Sequence, residues 1–293
     1  MDGFQIGAFT VRRIEEWQGE FTPPELLFDR FEPEAFEGHR ASFEHDYLRN
    51  GNIYGYLQSW LIETPTLKIL YDTGAGNTKD RPAIPIFGNL ESDFLDRLRA
   101  AGTAPGDVDI VICSHLHIDH VGWNTRLEGG RWVPTFPRAR YLLPAIDRDF
   151  WDPADKVRYA MARGAEVNRN VFEDSVQPIL DSGQAELVGD GFEVTDGITI
   201  HDAPGHTPGH IVLRVESIGE VALFVGDIMH HPMQIYRPDW NSVYCEDPDQ
   251  AAQTRRQILE QAADEGARIV PAHFGGTHSV FVERTAEGFE PQY

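Results

Sequence analysis

Three histidines and an aspartate occupy four of the six positions His115-Leu116-His117-Ile118-Asp119-His120, directly after Ser114 and the apolar run of residues 108–113. Imidazoles and carboxylates crowded at the end of a buried strand are costly unless protons, water or cations pair with them. A loop obeys neither helical nor pleated spacing, so all four side chains can turn toward one point. Imidazole nitrogen and carboxylate oxygen are the donors that suit Zn²⁺ and neighbouring divalent ions. A solvated histidine-rich turn is the bland alternative, and partners elsewhere in the chain weigh against it. His206 in Pro204-Gly205-His206-Thr207-Pro208-Gly209-His210, Asp227 in Val225-Gly226-Asp227, and His273 in Val270-Pro271-Ala272-His273 each follow an apolar β-run. Each alone would more often be structural. Together they give five histidines and two carboxylates, about what two metal ions need when one carboxylate is shared.

The segments between these motifs alternate. Residues 53–62, 67–71, 108–113, 139–143, 192–200, 211–216, 221–225 and 268–271 read as strands, bounded by glycine and proline turns. Phe94, Leu95, Leu98 and Ala101 fall at helical spacing before Gly102, and residues 251–265 have helix-forming composition. Residues 155–172 read as one helix or two short ones. Such alternation predicts an α/β protein with helices layered on sheet. Residues 1–50 are aromatic and acidic, with Pro23, Pro24 and Pro33 interrupting any long helix. They read as an irregular arm packed on a main domain of residues 51–293, since no Pro- or Ser-rich linker divides the chain.

Charge narrows the function classes. Against 25 Lys and Arg stand 47 Asp and Glu, a formal net charge of −22, which repels phosphate backbones and anionic membrane surfaces. Nucleic acid and membrane are therefore not expected partners. No basic region followed by an apolar run opens the sequence, so the expected location is the cytoplasm. Cys113 and Cys245 cannot make a disulfide framework. Packing at a strand end is the expected role of Cys113 and Ser114, ahead of nucleophilic catalysis.

His115-x-His117-x-Asp119-His120, followed in order by His206, Asp227 and His273, resembles the metal motifs of the metallo-β-lactamase fold hydrolases. Asp72-Thr73-Gly74 after the second strand adds to the likeness, which covers most of residues 50–293. The resemblance implies a four-layer αββα sandwich of two mixed sheets flanked by helices. It also implies two divalent metal ions, zinc first with iron, manganese or cobalt as alternatives. His115, His117 and His206 would hold one ion, Asp119, His120 and His273 the other, with Asp227 bridging. Within the superfamily, Asp72-Thr73-Gly74-Ala75-Gly76, Asp119-His120-Val121-Gly122, Phe136-Pro137-Arg138-Ala139 and Phe150-Trp151 resemble the methyl parathion hydrolase group. The quorum-quenching lactonases are similar in metal set and in His206-Thr207-Pro208-Gly209-His210.

What the resemblance implies is hydrolysis by a hydroxide bridging the two ions; Asp119 and, as a departure from the lactonase pattern, His230 are the candidate catalytic residues. His230 stands three residues after Asp227, where the lactonases have a tyrosine, and a histidine there could protonate the leaving oxygen. Phe87 and Trp151 are the first choices for an apolar substrate pocket, ahead of Trp123, Phe150 and Phe274, although large aromatics equally pack cores. The expected substrate is a small neutral or weakly polar lactone or carboxylic ester. Organophosphate triesters are the alternative on the same site, and iron-dependent redox chemistry the alternative of a different class. A homodimer is the assembly left open.

Overall fold

A computed structural model describes residues 3–293. Among these residues the strands in chain order are β1 (Gly3–Ile6), β2 (Phe9–Glu20), β3 (Leu48–Arg49), β4 (Asn52–Glu63), β5 (Lys68–Tyr71), β6 (Ile110–Ile112), β7 (Thr125–Glu128), β8 (Arg131–Pro134), β9 (Arg140–Pro144), β10 (Ala185–Val188), β11 (Glu193–Thr195), β12 (Ile198–Asp202), β13 (Ile211–Ser217), β14 (Glu220–Gly226), β15 (Arg268–Pro271), β16 (Phe281–Arg284) and β17 (Phe289–Gln292). The helices are α1 (Pro24–Leu27), α2 (Pro33–Phe43), α3 (Phe94–Ala100), α4 (Ala145–Trp151), α5 (Lys156–Met161), α6 (Gln177–Ser182), α7 (Met233–Tyr236) and α8 (Pro248–Glu265).

Two mixed sheets carry the fold. The first runs β1-β2-β4-β5-β6-β9-β10 with β3 on β4, and the second β11-β12-β13-β14-β15. Side chains alternate across each strand, and the alternation separates three apolar layers. Trp60, Ile62, Ile69, Tyr71, Ile110 and Ile112 face the second sheet's Ile211, Leu213, Ala222, Phe224 and Val270 in the central layer. Their neighbours Leu61, Leu70 and Val111 turn outward to Phe94, Leu98 and Ile179 of α3 and α6. On the far side Val212, Leu223 and Val225 meet Leu259 and Ala262 of α8. This is the helix-sheet-sheet-helix arrangement implied by the sequence resemblance. No helix among the described residues is long and apolar enough to cross a membrane.

The N-terminal segment differs from expectation. Instead of an irregular arm, residues 9–20 form a long strand that pairs antiparallel with β4 from Thr10↔Glu63 to Glu20↔Tyr54. The expected boundary near residue 50 therefore lies between two paired strands. Charged residues alternate with Val11, Ile14 and Trp17 in this strand, which masked its apolar face. Only residues 21–47 keep the irregular character, as helices α1 and α2 with their connections, and Phe28, Phe36, Phe43 and Tyr47 of this stretch are buried with Trp240 and Phe274. Residues 192–200, expected as one strand, are a hairpin of β11 and β12. Gly197 turns it at φ 76°, and a Cβ there would lie 2.3 Å from the Glu216 carbonyl oxygen.

Candidate metal centre

The ligand-bearing loops all leave the same edge of the two sheets: His115 to His120 after β6, His206 after β12, Asp227 after β14, His273 after β15. Backbone constraints fix their approach. Gly226 precedes Asp227 at φ 49°, where a Cβ would lie 2.6 Å from His210 Nε2 and 2.9 Å from Ser114 Cβ. Only glycine fits so close an approach. Asp147, at the start of α4, ties two of the loops together, accepting from Leu116 N at 3.0 Å, Thr207 Oγ1 at 2.8 Å and Gly209 N at 2.7 Å.

Asp227 stands at the centre, with its two oxygens facing different groups. Oδ1 lies 3.0 Å from His273 Nε2 and 3.1 Å from His120 Nε2. Oδ2 lies 3.3 Å from His206 Nε2 and 3.9 Å from His115 Nε2. His117 Nδ1 completes the Oδ2 side at 3.0 Å from His206 Nε2. Asp119 completes the other, at 3.6 Å from both His120 Nε2 and His273 Nε2. All seven side chains named from the sequence thus converge, in two groups that meet at one carboxylate. Donors around a tetrahedral ion at about 2.0–2.1 Å are necessarily about 3.3 Å apart, so this spacing fits two divalent cations. Four buried atoms, His115 Nε2, His117 Nε2, His120 Nε2 and Asp227 Oδ1, have no protein hydrogen-bond partner, and three of them face this centre.

Four of the five outward ring nitrogens are held by the protein, as metal-ligating imidazoles require, and only that of His117 is without a partner. His120 Nδ1 meets Asp72 Oδ2 at 2.9 Å, His273 Nδ1 the Tyr56 carbonyl at 2.8 Å, and His115 Nδ1 Ser114 Oγ at 3.0 Å. His206 Nδ1 has the sulfur of Cys245 at 3.6 Å, a contact no sequence signal announces. His210 accepts from Asp227 N at 3.1 Å and so supports the bridge from behind. Burial drives the rings of His115 and His117 down, and their histidine neighbours add to it. At His120 burial works the same way but is outweighed by the carboxylates of Asp227, Asp119 and Asp72, which hold it well up.

His230 also enters the centre: its Nε2 lies 3.2 Å from Asp227 Oδ2 and its ring stacks on His273 at 5.4 Å. A cleft open to solvent leads to these residues. Phe87 is on its wall, as the sequence suggested, stacked on Phe21 at 6.2 Å and edge-on to Trp17 at 5.6 Å. Trp151 is not on the wall. Its indole is buried edge-on to His117 at 5.2 Å, because α4 carries it beneath the loop. Trp123 is likewise internal, stacked on Phe94 at 5.6 Å. Cys113 is fully buried against Asn124, the packing role expected. The wall residues missed from sequence include Trp17, Phe21, Leu27, Ile84, Val167 and Tyr244. They come from five separate segments with no motif in common.

Residues 55–273 match the family model described as the metallo-beta-lactamase superfamily, and the chain belongs to that superfamily. Among curated relatives, an N-acyl homoserine lactonase of Bacillus sp. is 26% identical over 180 residues, covering 57% of this chain and 61% of the relative. The chain therefore spans about six tenths of that relative's length. Metallo-beta-lactamase domain-containing protein 1 of Xenopus laevis is 28% identical over 215 residues, 73% of this chain and 68% of its own. Among solved structures, the hydrolase AbOPH of the beta-lactamase superfamily superposes with a TM-score of 0.83 at 22% identity, over 99% of this chain and 95% of that one. AidC, a dizinc quorum-quenching lactonase, superposes with a TM-score of 0.78 at 24% identity, over 99% and 96%. At these identities the structural likeness establishes the fold.

Proposed function

We propose that this protein is a binuclear metal-dependent hydrolase that cleaves a lactone or a carboxylic ester, with zinc as the resident metal. The observation that carries the reading is the split carboxylate of Asp227, one oxygen toward each histidine group, at the floor of an aromatic cleft. When bound, the ions would supply Lewis acidity and lower the pKa of water from 15.7 toward about 7. His115, His117 and His206 would hold one, and Asp119, His120 and His273 the other, with Asp227 shared. The protein's own part is to orient the ester, to exclude water along the wall of Phe87, Phe21 and Trp17, and to deliver a proton to the departing oxygen. We assign that proton to His230, whose ring stands beside Asp227 at the end of the cleft.

The names of the curated relatives support the lactone class, and the apolar wall suits an uncharged acyl group. The same wall suits aryl phosphotriesters, the second reading, because Phe87, Phe21 and Trp17 together make an aromatic lining that a planar leaving group can pack against. The test is a screen of the purified protein against acylated lactones, aryl carboxylic esters, phosphotriesters, a phosphomonoester and DNA, with metal analysis alongside. Turnover of lactones or carboxylic esters ahead of the rest is expected. Faster hydrolysis of phosphomonoester or DNA would overturn the reading, and iron with oxidase or dioxygenase activity would replace it by redox chemistry. The proposed location is the cytoplasm and the proposed assembly a homodimer, checked by fractionation and by light scattering.

A further inference from the structure

Most of the cleft wall is hydrocarbon, and three neutral wall residues, Trp17, Tyr56 and Tyr244, carry a hydrogen donor. The three are placed differently. Tyr56 turns its phenol end away from the centre: a Cβ on Gly275 would lie 2.4 Å from its Cε2 and 2.7 Å from its Cζ, and the Asp46 charge acts on its hydroxyl. Trp17 packs its benzo ring on Gly19 and its edge on Phe87. Tyr244 lines the same cleft and is the one of the three whose hydroxyl lies within reach of the Asp119 charge.

The hydroxyl of Tyr244 makes no hydrogen bond among the described residues. The fully buried Tyr47, Tyr71 and Tyr141 donate to the carbonyls of Gly275, Phe224 and Asn124, whereas Tyr244 is only half-buried and keeps its hydroxyl free for what enters the cleft. Tyr244 is nonetheless held firmly. Its own N donates to Ser242 Oγ at 3.2 Å, Val243 N to Leu27 O at 2.8 Å, and Glu246 N to His206 O at 2.9 Å. Its ring leans on Phe21 at 6.2 Å. A phenol is protonated at neutral pH, so the group is a donor.

Resting on the hydrolase reading, we propose that Tyr244 is a catalytic residue whose hydroxyl donates a hydrogen bond to the carbonyl oxygen of the substrate ester. As a water-derived oxygen adds to the carbonyl carbon, the C=O π pair moves onto the carbonyl oxygen, and the Tyr244 O–H···O bond strengthens with that charge. No proton leaves Tyr244. The C–O bond to the leaving group then breaks with its electron pair on the leaving oxygen, and His230, having taken the proton that the attacking water gives up, returns that proton to it. A preorganised donor of this kind acts where charge develops.

The test uses metal-loaded wild type and Tyr244→Phe with the ester or lactone that wild type hydrolyses best. It adds calorimetric binding of two inert probes with the same side chain: the lactam, which keeps the carbonyl, and the cyclic ether, which lacks it. A loss of tenfold or more in kcat/KM, unchanged metal content and melting temperature, and weaker binding of the lactam alone support the role. Turnover within twofold of wild type overturns it, as does equal weakening of lactam and ether. Loss of metal or fold in Tyr244→Phe, repeated in Tyr244→His, also overturns it by making the residue structural. Wild type that holds two metals yet cleaves no ester, lactone or triester refutes the hydrolase reading itself, and is distinguishable from failure of Tyr244 alone.

Discussion

The carboxylate of Asp72 stands 2.9 Å from Nδ1 of His120 while also accepting from Ser114 N at 2.7 Å and Ser114 Oγ at 2.8 Å. It therefore orients a metal-facing ring and anchors the loop that bears it. Asp72→Ala should weaken binding of the ion on the Asp119 side by about 10- to 100-fold, the usual effect of removing such a support. The ion on the His117 side should stay. Metal content after dialysis against chelators of graded strength measures both, and equal retention of the two ions would contradict the assignment.

Asp227 serves both histidine groups, whereas His273 serves one. Asp227→Ala should lose both ions and nearly all activity; His273→Ala should keep close to one ion per chain. Elemental analysis of the two variants decides this, and a milder loss in Asp227→Ala would remove the bridging role. Stripping metal from wild type should lower its melting temperature, since ions that bind only the folded chain stabilise it.

For His230 two roles compete. Burial pushes its ring down to about 4, which favours a neutral ring donating Nε2–H to Asp227, while its place at the end of the cleft favours proton delivery. If it delivers the proton, His230→Ala should lower turnover of alkoxide-leaving substrates by about 10²-fold or more, and nitrophenyl esters much less. An equal loss for both substrate types assigns it to holding Asp227.

Glu16 offers a pH signature away from the metals. A bulge in β2 between Glu15 and Trp17 turns its carboxylate inward, to accept from Ala75 N, Gly76 N, Trp123 Nε1 and Ser92 Oγ. Burial raises its pKa to about 7 from 4.5, despite those donors. A raised pKa means the folded chain binds the proton more tightly, so this contribution to stability is complete below pH 4.5 and is lost as pH rises through 7. The stability of wild type minus that of Glu16→Gln should shrink by about 1.4 kcal/mol per pH unit across that window, and be flat above pH 8. Urea unfolding at several pH values reads it. A difference constant from pH 5 to 8 would show that the donors outweigh burial.

The convergence of the candidate ligands was legible because each ends an apolar β-run, a pattern that survives in a single sequence. Asp72 was visible as part of Asp72-Thr73-Gly74, although its hydrogen bond to His120 was not. Strand β2 was hidden because Arg12, Arg13, Glu15 and Glu16 interrupt its apolar positions, and two of these charges are settled by partners far along the chain, Glu63 and Trp123. Trp151 and Phe87 looked alike as pocket candidates. Which aromatic faces a cleft and which lies beneath a ligand depends on how α4 and the loop of residues 77–92 pack. The contact of Cys245 with His206 and the placing of Tyr244 arise from a loop pinned to Leu27 and His206, a long-range arrangement without local signature.

The metal loops and the cleft wall are encoded in largely separate stretches. The candidate ligands sit on loops at the ends of β6, β12, β14 and β15, while most of the wall comes from β2, from β4, from residues 21–27, 84–87 and 164–167, and from Tyr244. A substitution in the wall can therefore change what enters the cleft without touching a ligand to either ion. Selection acting on such a chain can alter its diet one residue at a time while its chemistry stays intact.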